Sequence, residues 1–157
     1  MKSGNLYAWG LNHAGQLGTG VGTGKDMTEI EKMPLKVVND TNVKFVDFAC
    51  GENTMLIKDT EGNLWKCGLK LDYTPSQIEL SISNKPKQFF SGRSFYCMID
   101  GENNVYQWGN LFDRNSTDKK DENDMHLIKS KEIFGNMDIV QISSKFTLSG
   151  ALLKEKI

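Results

Sequence analysis

The chain has 157 residues, 19 Lys and Arg against 20 Asp and Glu, a formal charge of -1 and a hydrophobic fraction of 38%. This composition is typical of a single globular domain and excludes a disordered chain, and the balanced charge argues against nucleic-acid binding, which needs clustered Lys and Arg. No run approaches the roughly 18 apolar residues of a membrane helix and the N-terminal segment lacks the apolar stretch of a signal peptide, so we expect an intracellular protein, cytoplasmic or nuclear, with no membrane contact.

Three segments of the chain share one pattern of a turn, alternating apolar and aromatic residues, and a closing Gly. They are GNLYAWG at residues 4–10, GNLWKCG at residues 62–68 and NNVYQWG at residues 103–109. Alternation of this kind indicates a short, half-buried strand. The chain is therefore expected to be built from a repeated unit.

Further anchors recur at constant spacing upstream of the closing glycines. Gly51 and Gly92 each precede a closing Gly by 17 residues, and Pro34 and Pro75 each precede that inner Gly by another 17. Each cycle thus predicts an edge strand that tolerates Pro, two inner strands around a Gly turn, and a fourth strand that ends in an aromatic residue and Gly. Four short strands per cycle describe the blade of a β-propeller.

The third cycle is fainter than the first two. Residues 139–145 take the place of the strand that ends at the inner Gly, residues 148–153 predict the next strand, and residues 1–10 supply the last. We predict one all-β domain over residues 1–157, a propeller-like arc of about three four-stranded blades. Its cycles lie at roughly 11–68, 69–109 and 110–157, the last completed by 1–10, with about 52 residues each.

Three blades fall short of a closed ring, because propellers have about four to eight. An open arc leaves strand edges with unpaired backbone groups. We expect the chain to complete a ring with a second polypeptide, either a second copy that gives six blades or a different chain that supplies the other four of seven. The alternative is a smaller, irregular β-domain in which residues 6–9 fold back.

One stretch of the sequence resembles a known repeat. GNLYAWGLNHAGQLGTG at residues 4–20, followed by Pro34-x-x-Val37, Ala49-Cys50-Gly51 and GNLWKCG, is similar to the repeats of the regulator of chromosome condensation family. The similarity is strongest from about residue 4 to residue 68. That family builds seven-bladed β-propellers, and its members include a guanine-nucleotide exchange factor for a small nuclear GTPase and many protein-interaction modules. The resemblance implies a propeller fold and binding to another protein.

The later cycles depart from the family pattern. Neither Gly68 nor Gly109 is followed by the N-x-x-G-Q-L-G turn, and Thr54 and Phe95 stand where many family repeats carry a His. No residue of this sequence can be matched to the GTPase-contacting face of the family. Guanine-nucleotide exchange on a small GTPase is therefore an alternative function.

A Gly-rich run from Gly18 to Lys25 is similar to a phosphate-binding loop. A P-loop requires G-x-x-x-x-G-K-[ST], because its backbone N–H groups hold the phosphates, the Lys reaches them and the hydroxyl binds magnesium. Here Thr19 stands at the first Gly position and Asp26 follows the Lys. We interpret the run as an interblade loop; a nucleotide-binding enzyme that uses residues 18–25 is a further alternative.

The cysteines and histidines suggest no catalytic or metal site. Cys50, Cys67 and Cys97 form no C-x-x-C pair and are predicted to be buried apolar residues. His13 and His126 are far apart in sequence and are predicted to have structural roles in turns. We assign no cofactor, no metal ligand and no catalytic residue.

Large aromatic residues recur at the same positions of the cycles. They are Trp9, Trp65, Trp108, Tyr7 and Tyr106. A stacking surface for nucleic-acid bases would also use such residues, but their recurrence at blade positions favours packing between blades.

Four residues are candidate partner contacts. Glu52 and Arg93 directly follow the two inner glycines and are predicted to lie in equivalent turns on one rim of the sheets. Asp113 and Arg114 begin a charged segment, residues 113–124, that is predicted to protrude as a mobile loop. The predicted function is protein–protein interaction, as a scaffold or an accessory subunit of a larger assembly. The predicted partner is a second copy or another protein chain that completes the propeller, with a small GTPase as the alternative.

Overall fold

The computed structural model describes residues 4–22, 30–39, 42–68, 72–80, 85–93, 95–109, 126–128, 135, 137–145 and 148–155. Within these ranges the chain forms twelve strands and no helix. They are β1 (Tyr7–Leu11), β2 (Ile30–Lys36), β3 (Phe45–Cys50), β4 (Thr54–Asp59), β5 (Leu64–Gly68), β6 (Asp72–Gln77), β7 (Pro86–Ser91), β8 (Phe95–Asp100), β9 (Val105–Gly109), β10 (His126–Ile128), β11 (Asp138–Lys145) and β12 (Leu148–Lys154).

The strands form four antiparallel sheets in chain order. Two are complete four-stranded sheets, β3 to β6 and β7 to β10, in which each strand pairs with its neighbours along the chain. Two are half-sheets, β1–β2 and β11–β12. The all-β, propeller-like fold predicted from the sequence is therefore confirmed. No helix of the described residues could cross a membrane.

The strand that carries Pro closes a sheet, whereas the sequence analysis placed it first in the blade. Pro34 lies on β2 and pairs back to β1, and Pro75 lies on β6 and pairs back to β5. The reason is physical: Pro lacks an N–H and is tolerated on either edge of a sheet, so its presence does not tell the first strand from the last. β2 and β6 turn back beside the strand that ends in Gly.

The two half-sheets hold opposite halves of one sheet. β1 and β2 correspond to the third and fourth strands, β5 and β6, since β1 and β5 both carry the closing Gly and β2 and β6 both carry the Pro. β11 and β12 correspond to the first and second strands, β3 and β4. Among the described residues β1 pairs with β2 alone, so completion of the last sheet by residues 1–10 stays a prediction.

One β-bulge recurs in three hairpins and fixes the register of the faint third cycle. The pairing slips at Val46 between β3 and β4, at Lys87 between β7 and β8, and at Val140 between β11 and β12. Each bulge lies five residues before the inner Gly or, in the third hairpin, before Lys145. The predicted match of residues 139–145 to the strand before Gly51 is thereby confirmed. Bulges increase the local twist of a strand pair.

The apolar core lies between the sheets, in three clusters. The first joins β1–β2 to the next sheet and contains Val37, Phe45, Met55, Ile57, Trp65 and Cys67. The second joins the two complete sheets and contains Leu56, Leu64, Ile78, Tyr96, Met98 and Trp108. The third joins the second complete sheet to β11–β12 and contains Cys97, Ile99, Val105 and Ile139. Each fully buried Leu, Ile or Met contributes about 1.5–3 kcal/mol, so consecutive sheets stabilise one another.

A buried Asp holds the turn after the second strand of each complete sheet. The carboxylate of Asp59 accepts hydrogen bonds from the backbone N–H groups of Glu61 and Asn63, from the Asn63 amide and from Trp65 Nε1, at 2.8–3.0 Å. Asp100 accepts the equivalent bonds from its own turn. Burial alone raises the pKa of Asp59, but these hydrogen bonds stabilise the carboxylate and bring its pKa below the ordinary value.

Candidate functional site

Two equivalent turns form one rim of the complete sheets. Between β3 and β4, the Gly51 N–H donates to the Thr54 carbonyl at 2.7 Å, and between β7 and β8 the Gly92 N–H donates to the Phe95 carbonyl at 2.8 Å. The same bond in both places shows that the inner glycines open the same type of turn. We call this pair the inner-turn rim, residues 51–54 together with the described residues 92, 93 and 95.

The two turns of the inner-turn rim contact each other directly. The Asn53 N–H donates to the Arg93 carbonyl at 3.2 Å, and the Thr54 hydroxyl is hydrogen-bonded to the Ser91 hydroxyl. A Cβ on Gly51 would lie 1.9 Å from the Gly92 carbonyl oxygen, a distance that no side chain can occupy. Gly51 is therefore required by the close approach of two backbones.

The structure brings two of the four candidate residues together. Arg93 Nε lies 3.3 Å from Glu52 Oε2, and both side chains are partly exposed. Gln16, from the loop after β1, donates through Nε2 to the Glu52 carbonyl at 3.2 Å. The rim thus presents one ion pair and adjacent polar groups to the solvent. Asp113 and Arg114 lie outside the described residues.

The described part of the Gly-rich loop is held by the body of the protein. The Gly20 N–H donates to the Tyr73 carbonyl at 2.8 Å, and the Gly18 carbonyl accepts from the Val38 N–H at 2.9 Å. A Cβ on Gly22 would lie 2.0 Å from the Tyr73 ring. These contacts give Gly18, Gly20 and Gly22 structural roles, while Lys25 lies outside the described residues.

An apolar groove lies beside the edge of β1 that pairs with no strand of the described residues. It has a volume of about 340 Å³ and is bordered by Leu6, Tyr7, Trp9, Phe48 and Met55, with Cys50 at the end of β3 and Glu52 of the inner-turn rim. Tyr7, Trp9 and Phe48 are each at least half exposed. Contiguous exposed apolar residues are typical of interaction surfaces. We call this feature the open-edge groove.

The prediction that all recurring aromatic residues pack between sheets is wrong for Trp9 and Tyr7. Trp65 and Trp108 are buried in the inter-sheet clusters as expected. Trp9 and Tyr7 lie on the face of β1 that has no preceding sheet to cover it among the described residues.

The prediction of three buried cysteines is wrong for one of them. Cys67 and Cys97 are buried, whereas Cys50 is exposed because it borders the open-edge groove at the end of β3. Burial raises the pKa of Cys97 to about 12 and also raises the pKa of Cys67, so both thiols stay protonated at neutral pH. His13 lies buried in the turn after β1. No group of three His, Cys, Asp or Glu in the described ranges could hold a metal ion.

Comparison with known proteins identifies the repeat. Residues 3–57 match the family model described as the Regulator of chromosome condensation (RCC1) repeat. The chain is 28% identical over 117 residues to the Protein RCC2 homolog of Xenopus laevis, an alignment that covers 68% of this chain and 22% of that protein.

Solved structures share the fold over the whole chain. Prp20p of Saccharomyces cerevisiae has a TM-score of 0.72 at 19% identity, and the alignment covers 98% of this chain and 40% of Prp20p. Human WBSCR16 has a TM-score of 0.73 at 19% identity, covering 98% of this chain and 42% of that structure. The chain thus spans about two fifths of these structures, and the likeness shows a common β-propeller architecture.

Proposed function

We propose that this chain, in which residues 3–57 match the Regulator of chromosome condensation (RCC1) repeat and the strands form a propeller-like fold, is a protein–protein interaction module. It works as a scaffold or accessory subunit whose partner completes the propeller. The observation that carries the proposal is the open-edge groove, where exposed aromatic side chains lie beside a strand edge.

The open-edge groove supports the proposal because it offers two kinds of contact at once. The outer edge of β1 carries backbone N–H and C=O groups, which an added strand can pair by β-augmentation. Tyr7, Trp9 and Phe48 offer exposed apolar surface next to that edge. Aromatic residues are enriched at the centres of protein interfaces.

The inner-turn rim supports a second set of contacts with the partner. We assign Glu52 and Arg93 to partner binding, together with Asp113 and Arg114 of the charged segment. Glu52 and Arg93 neutralise each other at 3.3 Å, so a partner reads them as one oriented pair. Their exposure leaves both groups accessible. Rim charges of this kind set specificity and the rate of association more than affinity.

The experiment is a native mass measurement of the protein purified from its source. We expect an assembly that contains the chain with a further protein chain or a second copy; a folded monomer would contradict the proposal. Charge reversal by Arg93→Glu is expected to weaken binding of a further protein. The double variant Glu52→Arg with Arg93→Glu reforms an ion pair of reversed orientation and is expected not to restore binding. Glu79→Lys, an exposed change after β6, is the control and is expected to leave the assembly intact.

A second candidate function is guanine-nucleotide exchange on a small GTPase. The observation that favours it is the structural likeness to Prp20p, a protein described by its binding to Gsp1p and histones. The test is release of labelled nucleotide from a purified small GTPase, by the chain alone and in its native assembly. Faster release would support exchange activity, and an unchanged rate in both forms would remove this candidate.

A further inference from the structure

We propose that the open-edge groove binds the β11–β12 hairpin of a second copy of this chain, so that two copies close one ring of six sheets. This inference rests on the proposed function and specifies it, since it names the partner and the strand pairing.

The two ends of the described fold are complementary. In the complete sheets, β5 lies between β4 and β6, and β9 lies between β8 and β10. In the part of the chain that the structure describes, β1 corresponds to β5 and β9 but has only β2 beside it. Within the same described ranges, β12 corresponds to β4 and β8 but pairs only with β11. One end of the described fold therefore lacks the two strands that the other end presents.

The repeat fixes which residues would face each other. In the first hairpin Cys50 pairs with Met55, in the second Ser91 pairs with Tyr96, and in the third Ser144 pairs with Ser149. This common register makes Leu148 the equivalent of Thr54, which pairs with Gly68 on the next strand. On β1 the equivalent of Gly68 is Gly10.

The resulting register between β12 and β1 of the second copy is specific. It places Leu148 opposite Gly10, Gly150 opposite Ala8, and Leu152 opposite Leu6. A shift of one residue would turn every side chain of the added strand to the other face, so the register is a sharp property to test.

The backbone of β1 is oriented for this pairing. The Leu6 carbonyl accepts the Val37 N–H at 2.9 Å, as the Leu64 carbonyl accepts the Ile78 N–H at 2.8 Å in the complete sheet. Because successive residues of a strand point their backbone groups to opposite sides, Tyr7 directs its N–H and C=O to the outer edge. In the complete sheet the matching residue, Trp65, pairs with β4.

One cross-sheet contact supports the same placement. At the junction of the complete sheets, Lys58 Nζ of β4 lies 5.4 Å from the ring centroid of Phe89 on β7. The equivalent positions are Leu152 on β12 and Phe48 on β3. Leu152 is 58% exposed and Phe48 54% exposed. Docking of a second copy would place these two apolar side chains against each other and cover both.

The exposed aromatic residues of β1 would gain the core that their equivalents have. Trp108, the equivalent of Trp9, lies in the cluster between the complete sheets. In the proposed ring, Trp9 and Tyr7 would extend the cluster that contains Cys97 and Ile139, between the second copy's complete sheet and the joined half-sheets.

The number of sheets allows closure. Each copy contributes two complete sheets and two half-sheets, so two copies joined head to tail at two identical interfaces form six sheets. Rings of about four to eight blades are known. Head-to-tail contacts form a closed ring, rather than an open filament, when the rotation between copies closes. Among the described residues of one copy, two complete sheets stand between β1 and β12, so the proposed pairing would join two copies.

The first experiment measures the mass of the purified full chain by native mass spectrometry and light scattering. We expect a dimer of the 17.7 kDa chain. Leu152→Glu should dissociate it, whereas Leu152→Lys should preserve it, because Lys over Phe48 recreates the contact of Lys58 with Phe89. Met33→Glu changes an apolar residue on β2 that is 71% exposed and is the matched control, expected to stay dimeric.

The second experiment traps the register, with Cys50→Ser in every chain to remove the exposed thiol. Directly opposite residues of paired strands have Cβ atoms about 4.5–5.5 Å apart, close enough for a disulfide to form. A mixture of Ala8→Cys and Gly150→Cys chains should form a covalent dimer on oxidation. Ala8→Cys with Ser149→Cys, which is out of register, should form much less.

The outcomes separate this inference from the proposed function. A purified chain that is monomeric at all concentrations overturns the inference, and so do Lys and Glu variants of Leu152 that behave alike. A monomer in isolation with a different protein bound in the native assembly overturns the inference alone. A register-specific dimer supports the inference, even if no further protein is bound in the native assembly.

Discussion

Trp9 and Trp108 occupy the same place in two copies of the repeat, yet 63% of the first side chain is exposed and 1% of the second. Trp108 stacks on Tyr96 at 5.6 Å between ring centroids and packs against the preceding complete sheet. Trp9 lies on β1, with β2 on one side and the open-edge groove on the other. Burial of this position is therefore decided by the neighbouring sheet more than by the strand's own sequence.

The largest expected effect separates these two tryptophans. Trp108→Ala removes a large side chain from a filled cluster and should lower the free energy of unfolding by about 3–5 kcal/mol. Trp9→Ala should lower it by less than about 0.5 kcal/mol, as expected for an exposed site. Both are measured by urea unfolding followed by circular dichroism, with Leu152→Glu present so that association does not contribute. Equal decreases in the free energy of unfolding would contradict the difference between the filled cluster around Trp108 and the open edge at Trp9.

The second effect sharpens the comparison at Trp65, the equivalent of Tyr7. Trp65 Nε1 donates to the buried Asp59 carboxylate at 3.0 Å, so the turn and the aromatic residue are locked together. Asp59→Asn should lower the free energy of unfolding by about 1–3 kcal/mol, because an amide has one acceptor oxygen where the carboxylate has two. Asp47→Asn, at an exposed ion pair with Lys58, should cost less than about 1 kcal/mol. Guanidinium unfolding of both variants checks the order.

The same Asp59 predicts a pH dependence. Its pKa is lowered in the folded chain, so its stabilisation is fully present above the ordinary Asp pKa of about 4 and is lost as pH falls through the lower folded value. Unfolding free energies measured from pH 6 downwards should therefore fall less steeply for Asp59→Asn than for the native chain. Parallel curves would show that this carboxylate does not couple folding to protonation.

The third effect concerns the closed junction at the inner-turn rim. Gly51→Ala places a methyl group against the Gly92 carbonyl and should cost about 1–3 kcal/mol, because one of two backbones must move. Gly101→Ala is the matched control, since its Cβ would meet nothing within 4 Å. Thermal unfolding should show a lower Tm for the first variant only.

The smallest effect is expected at the ion pair itself. Arg93→Gln should change the free energy of unfolding by less than about 1 kcal/mol, because exposed ion pairs are screened and are entropically costly to hold. High salt should reduce even this difference. A larger loss in thermal unfolding would mean that the pair holds the two turns together beyond their backbone hydrogen bonds.

The repeat could be predicted from the sequence because its recurring glycines are required by the backbone conformation of the turns. Gly51 and Gly92 open identical turns, and the bulge at Val140 shows that even the third cycle was aligned correctly. The sequence could not tell which edge of a sheet the Pro strand occupies, since both edges tolerate Pro. It also could not show the exposure of Trp9, because the pattern of a strand does not reveal whether a neighbouring sheet covers it.

The candidate site was predicted in part for a similar reason. Equivalent positions after two inner glycines placed Glu52 and Arg93 on one rim, and the structure brings them to 3.3 Å. The two side chains form an ion pair because both point towards the junction between the sheets. Repeat spacing does not specify these side-chain directions. The open-edge groove is formed by β1 and β3 together, so no single sequence motif could predict it.

The location of the core between sheets has a consequence for how this protein can diverge. Because each cluster lies between two sheets, we expect a substitution at one boundary to be compensated by side chains of the facing sheet. Cys67 and Trp108, equivalent residues of very different volume, are both accommodated in this way. We therefore expect each boundary between sheets to change in sequence independently of the others, so that copies of the unit can become dissimilar while the fold is kept.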